Sequence, residues 1–205
     1  MNLKSQFEEL CSPFTEDGQL IANLWKEIET KYSENGRHYH NLLHLENMFR
    51  ELEEVRINIS DFTALSFSVF YHDVIYDATS KANEEKSAAK AVKRLAELHI
   101  HQDTISIISA QILATKFHQR SDQQDTNYIL DADLSVLGKD FETYLEYTQN
   151  IRKEYSIYPD FLYKPGRKKV LKHFLELESI FKTEYFKGKY EAQAKENIAA
   201  ELRLL

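Results

Sequence analysis

The chain has 205 residues, 42% of them hydrophobic with 12 Tyr and 12 Phe, which excludes a disordered polymer and leaves room for one sizeable core. Only 5 Gly and 3 Pro punctuate it, too few for a strand-rich fold, so an all-α chain is expected. A net charge of -7, a lone cysteine (Cys11) and no run near the roughly 18 apolar residues of a membrane span argue against a nucleic-acid polymer, a disulfide or Cys-zinc framework, and a bilayer.

In chain order, residues 1–16 read as a lead-in around Cys11-Ser12-Pro13. Leu20, Leu24, Ile28 and Tyr32 recur every four residues and predict a helix from Gln19 to Tyr32, broken at Ser33-Glu34-Asn35-Gly36. The next helix is expected over Leu42 to Val55, with His40 and His44 four apart and on one face if the helix extends that far. Ile57 to Ser60 is a break. Asp61 is placed to cap an almost wholly apolar, hence central, helix ending at His72-Asp73 or one turn later.

Asp77 to Ala82 reads as a loop, and Asn83 as the N-cap of a helix to about Leu98. Helices follow over Asp103 to Phe117, over Asp125 to Leu137 with Gly138 as its stop, and over Phe141 to Tyr155. Asp125 is read as an N-cap. Tyr158-Pro159-Asp160 and Lys164-Pro165-Gly166-Arg167 bracket a turn region. Val170, Phe174, Leu177, Phe181 and Tyr185 form one long stripe, and Lys187-Gly188-Lys189 separates a last helix. No repeat or linker divides the chain, so one domain over residues 1–205 is expected, in a reducing, cytoplasmic setting.

The chemistry concentrates at Val-Phe-Tyr-His-Asp-Val-Ile-Tyr-Asp, residues 69 to 77. His72 and Asp73 sit in a stretch that otherwise reads as buried, where polar groups without partners cost several kcal/mol. Their candidate partners are His40 and His44 upstream and Asp131 and Asp133 downstream, so three segments are expected to meet at one metal ion. Histidine and carboxylate together suit Mn, Fe, Co, Zn or Mg. Asp131 and Asp133 point roughly 200° apart on a helix, so one of them should face the ion. Arg37, Lys116, Arg152 and Arg167 are the cations to place near a phosphate, and Glu84 is a candidate to orient a ligand or water. Tyr144, Tyr147, Tyr155 and Tyr158 read as the rim of the core rather than a stacking platform.

The order His44, His72-Asp73, then a late Asp in a helix resembles the HD superfamily of metal-dependent phosphohydrolases, over roughly residues 30 to 185. The segments Arg37 to His44, "FYHDVIYD", "NEEKSA", "LDADLSVLG", "IRKEY" and "PGRKKVL" are similar to a small bacterial group of predicted HD phosphohydrolases. "YHNLLH" resembles the His-Asn-x-x-His element of cyclic-nucleotide phosphodiesterases, and "ADLS" at 132–135 the segment with their last metal aspartate.

These likenesses imply an all-α HD-type bundle with core 30–185. They imply metal ligands His44, His72, Asp73 and Asp133 (Asp131 the alternate), and His40 as general acid. Asp73 would help orient the attacking water. The reaction implied is hydrolysis of a phosphoester of a small molecule, a nucleotide being one candidate. Tyr76 stands where the phosphodiesterases carry a further histidine, and their glutamine clamp is not recognisable, so a cyclic nucleotide is not implied. His118 is the one well-placed extra histidine, toward substrate or a second metal, with His99 and His101 behind it. The alternatives are an HD-fold di-iron oxygenase and a non-catalytic nucleotide-binding module. The oligomeric state stays open, a homodimer included.

Overall fold

The computed structural model describes residues 2–205. Its described residues form ten α-helices and two short 3₁₀ turns, with no strand. The helices are α1 Leu3–Cys11, α2 Gly18–Tyr32, α3 Leu42–Glu54, α4 Phe62–Tyr71, α5 Asn83–Glu97, α6 Gln102–Ala114, α7 Gln124–Leu134, α8 Phe141–Glu154, α9 Asp160–Glu176 and α10 Glu184–Leu204. No helix among the described residues is long and apolar enough to cross a membrane.

The apolar run before His72 becomes the central element. Every residue of α4 from Ala64 to Tyr71 is buried. Asp61 starts this helix by accepting a hydrogen bond from the Ala64 N–H at 2.8 Å. Asp125 does not cap its own helix. Its carboxylate accepts from the Ser60 and Asp61 N–H groups at 2.9 and 2.8 Å, which pins the start of α4 to the start of α7. Around α4 pack α3, α5, α6 and α7, while α10 lies along the Ser135–Gly138 turn that follows α7. One hydrophobic core joins residues from α1 through α10.

Three elements depart from the sequence reading. Residues 1–16 contain α1, whose Leu3, Phe7 and Cys11 share one buried face. The Phe7 ring meets Phe70 of α4 edge-on at 5.1 Å, a long-range contact that a short, weakly patterned segment does not announce. Tyr158 to Arg167 is not a turn region, because α9 runs through Pro165 and Gly166. The proline forfeits its bond to the Phe161 carbonyl, and the helix there is at the surface, with Phe161 74% exposed and Pro165 exposed. Gly188 likewise lies inside α10. Its cost of about 1 kcal/mol is offset by Phe186 and Tyr190, both anchored in the core on either side. The stripe from Val170 to Tyr185 is correspondingly divided between α9 and α10 by residues 177–183.

Gly138 permits the closest approach in the molecule. A Cβ added there would sit 2.7 Å from the Tyr190 carbonyl oxygen and 2.9 Å from the Tyr190 Cα, both backbone atoms that cannot swing aside. Gly138→Ala is therefore expected to destabilise the protein by about 1–3 kcal/mol. Thermal unfolding checks this, and an unchanged melting temperature would contradict the packing.

Candidate metal centre

Four elements bring the site together. Asn41 caps α3 by accepting from the Leu43 N–H at 2.9 Å, and His44 projects inward from the first turn. The helix begins at Leu42, so His40 lies in the preceding loop rather than on the same helical face; its ring still packs 5.8 Å from that of His44. His72 is the C-cap of α4, and Asp73 follows with its N–H on the Tyr32 hydroxyl. Asp133 comes from the end of α7 and His118 from the turn after α6.

His44 Nε2, His72 Nε2 and an Asp133 oxygen lie within 4.8 Å of one another. The two Nε2 atoms are 3.3 Å apart, and Asp133 Oδ1 is 3.1 Å from His44 Nε2 and 4.0 Å from His72 Nε2. Asp73 Oδ2 lies 3.2 Å from His72 Nε2. His72 Nδ1 faces the Val69 carbonyl at 2.8 Å. A carbonyl only accepts, so Nδ1 carries a proton, and in the neutral form of the ring the Nε2 lone pair faces the cluster. His118 Nε2 takes the other oxygen of Asp133 at 2.8 Å, from a backbone held at φ 49°. A non-glycine residue in that region stores strain of about 1–3 kcal/mol, a recurrent feature of functional sites.

Burial pulls His72 down, but Asp73 and Asp133 outweigh it and hold the imidazole up at about 9. Burial pushes the Asp73 carboxyl up, yet the neighbouring imidazoles of His72 and His40 hold it far below the carboxylate range. Asp133 is lowered in the same way, against its burial, by hydrogen bonds with His118 and His44. His44 is lowered mainly by burial. Nitrogen ligands bind a metal as neutral imidazoles, so an ion entering here would displace the proton that these carboxylates otherwise hold on His72.

Asp131, the alternate ligand from the sequence, faces elsewhere. Its Oδ1 accepts from the Lys182 N–H at 2.7 Å, and its Oδ2 from the Thr183 N–H and hydroxyl at 2.7 and 2.8 Å. It anchors the start of α10, as the 200° separation from Asp133 requires. Arg37 is likewise not a phosphate ligand. It is buried, and its guanidinium donates to the carbonyls of His40, Asp73 and Val74, stitching the two histidine segments together. Arg152 is occupied by Asp160 and by the carbonyls of Tyr155 and Tyr158, outside the cavity over the cluster.

Lys116, His118, Arg167 and Glu84 do line that cavity, which measures about 540 Å³. Lys116 pairs with Glu85 and the Lys81 carbonyl. Arg167 pairs with Glu201 through two bonds of 2.7 and 2.9 Å. Asn83 is not an N-cap. Its amide closes the loop after Asp73 by exchanging bonds with the Asp77 backbone at 3.0 and 3.2 Å.

Glu154 has no assigned role in the sequence reading. It lies at the C-terminal end of α8 with a fully buried side chain. One oxygen accepts from the N–H groups of His38, Tyr39 and His40 at 2.8, 2.7 and 2.9 Å; the other takes His40 Nδ1 at 2.6 Å. Burial opposes ionisation, but these bonds hold the Glu154 carboxyl down at about 2. His40 is raised: burial opposes protonation, and Asp73 with Glu154 outweighs it. The only sequence signal for Glu154 is its place in the "IRKEY" segment. Tyr147, Tyr155 and Tyr158 line the cavity; Tyr147 also packs at the rim of the core as expected, whereas Tyr144 lies inside it.

No protein-family model, no curated protein and no solved structure matches this chain.

Proposed function

We propose that this chain is a metal-dependent phosphohydrolase that cleaves a phosphoester of a small molecule. The observation that carries the reading is the convergence of His44, His72 and Asp133 within 4.8 Å, beside Asp73 and His40, at a cavity large enough for an organic phosphate. Two imidazoles and a carboxylate suit a divalent first-row ion, and the fixed tautomer of His72 leaves its Nε2 free to bind one. His44, His72 and Asp133 would hold the ion, with Asp73 at its edge. When bound, such an ion polarises a phosphoryl oxygen and makes water nucleophilic near neutral pH.

The remaining work falls to side chains. Glu154 holds His40 Nδ1, so the ring presents Nε2 toward Asp73 Oδ2, 3.9 Å away, and toward the cavity. A proton at Nε2 is placed for a leaving alkoxide, and its raised affinity keeps it loaded. Asp73, held ionised, accepts a hydrogen bond from the attacking water and orients it. Lys116 stands at the wall, but its charge is shared with Glu85. Release of inorganic phosphate, or of a monoester from a diester, tests the reading on metal-reconstituted protein across a panel of small phosphoesters. Turnover is expected, abolished by a chelator and lowered about 10²-fold by His40→Ala. No turnover on any ester by metal-replete protein would contradict it.

A second reading, a di-iron oxygenase, draws on His118. Because His118 and His44 take opposite oxygens of Asp133, that carboxylate could bridge two ions. Near two irons per chain and an oxygen-dependent activity would favour it.

A further inference from the structure

We propose that the cavity above the metal ligands is a receptor for a planar ring, so that the substrate is a phosphoester of a ring-bearing alcohol; this rests on the phosphohydrolase reading. The cavity's volume of about 540 Å³ far exceeds the need of a phosphate and falls in the range of drug-sized ligand sites, about 300–1,000 Å³.

Its walls carry two groups of aromatic contacts. Tyr39 packs 5.0 and 4.9 Å from the rings of His40 and His44, then 4.7 Å from Tyr147, nearly perpendicular to it. Tyr155 lies 6.1 Å from Tyr163, and both line the same space. Rings so arranged offer faces and edges to another ring. The roof is α9. Of its 17 residues only Leu171 is buried, while Leu162, Tyr163, Val170 and Phe174 line the cavity.

The long cations of the wall are already paired, Lys116 with Glu85 and Arg167 with Glu201, and Glu84 adds a carboxylate, so the wall is poorly suited to a second phosphate. Arg167 is neutralised by Glu201, and its guanidinium sits 5.3 Å from the Tyr147 ring centroid, bracing that ring. The lining includes polar Ser80, Asn83, Glu84 and Thr115, but a polyhydroxylated chain would leave other hydroxyls facing the tyrosines and the Leu162, Val170 and Phe174 side chains, which is unfavourable. A flexible alkyl chain would bury comparable area but lose more conformational freedom and gain no ring–ring geometry.

The test is calorimetric binding to the metal-loaded full chain, using phosphonate analogues that hydrolysis cannot consume. They carry a naphthylmethyl, an adenosyl, an octyl and a dihydroxypropyl group. Both ring-bearing analogues are expected to bind about tenfold tighter than the other two. A preference for adenosyl over naphthylmethyl would identify a nucleoside as the source of the ring, and the reverse a simple arene.

Val170 is 47% exposed, so Val170→Asp places a charge on the roof with little risk to folding. It should weaken the ring-bearing analogues about tenfold, while Val170→Leu keeps the selectivity. Equal affinities for all four, or tightest binding of the octyl analogue, would overturn the proposal. Turnover of the matching esters is read separately. Ring selectivity without any turnover would sink the phosphohydrolase reading and leave the ring receptor standing.

Discussion

Protein carrying Asp133→Ala should gain no thermal stability from added manganese, cobalt or zinc, while Asp131→Ala should still gain it from a lower starting point. The two aspartates are one residue apart from adjacency yet do opposite work. Asp133 reaches His44 and His118 at the cluster. Asp131 satisfies two buried backbone N–H groups and the Thr183 hydroxyl at the start of α10. Removing Asp131 orphans those donors, a loss of about 2–4 kcal/mol, or roughly 4–16 °C in melting temperature for a chain of this size. Removing Asp133 would take away one of the three groups that could hold the ion, and affinity should fall more than about 100-fold. A ligand that binds only the folded state raises its stability in proportion to RT ln(1 + [L]/Kd), so the metal-induced shift in melting temperature reads this directly. A normal shift in Asp133→Ala, or a lost shift in folded Asp131→Ala, would reverse the assignment.

Glu154→Gln is expected to lower kcat by about 10²-fold or more with metal content unchanged. The glutamine keeps the shape but either presents an N–H to His40 Nδ1 or, flipped, turns its N–H to the three backbone donors and forfeits their bonds, so the imidazole loses its charged support or its fixed surroundings. The same carboxylate should shape acid stability. Its pKa falls from 4.5 in the ordinary state to about 2 in the fold, so its contribution is complete above about 4.5 and is lost as pH falls through 2. Urea unfolding should therefore find Glu154→Gln less stable than the parent at pH 7 by on the order of 2–3 kcal/mol, with the gap closing toward pH 2. A gap independent of pH, or an unchanged kcat, would show that the bond to His40 carries neither effect.

The helical class was legible because α2, α3 and α4 each carry an uninterrupted apolar pattern, and the scarcity of Gly and Pro left little room for anything else. Breaker residues misled where burial or solvent made their cost small, at exposed Pro165 and at Gly188 between two anchored aromatics. His72 and Asp73 could be singled out because metal-capable side chains inside an apolar segment demand partners, whereas His44, and Asp133 over Asp131, were set apart by the resemblance to metal-dependent phosphohydrolases. Their meeting is a matter of tertiary geometry that spacings of 28 and 60 residues cannot express. Arg37 and Glu154 were harder still. A charged residue that spends itself on backbone groups, three carbonyls for Arg37 and three N–H groups for Glu154, has no periodic pattern to reveal it. The tyrosines of the cavity look like core residues in sequence because one side of each ring does pack on the protein.

The central claim is that His44, His72 and Asp133 form one metal centre. Elemental mass spectrometry of protein purified without chelator, beside His72→Ala, tests it most directly. About one first-row metal per chain in the parent and none in the folded variant is the predicted result. A parent that takes up no metal even after reconstitution, or a His72→Ala protein that keeps its full complement, would contradict the account and leave His72-Asp73 as a buried structural pair.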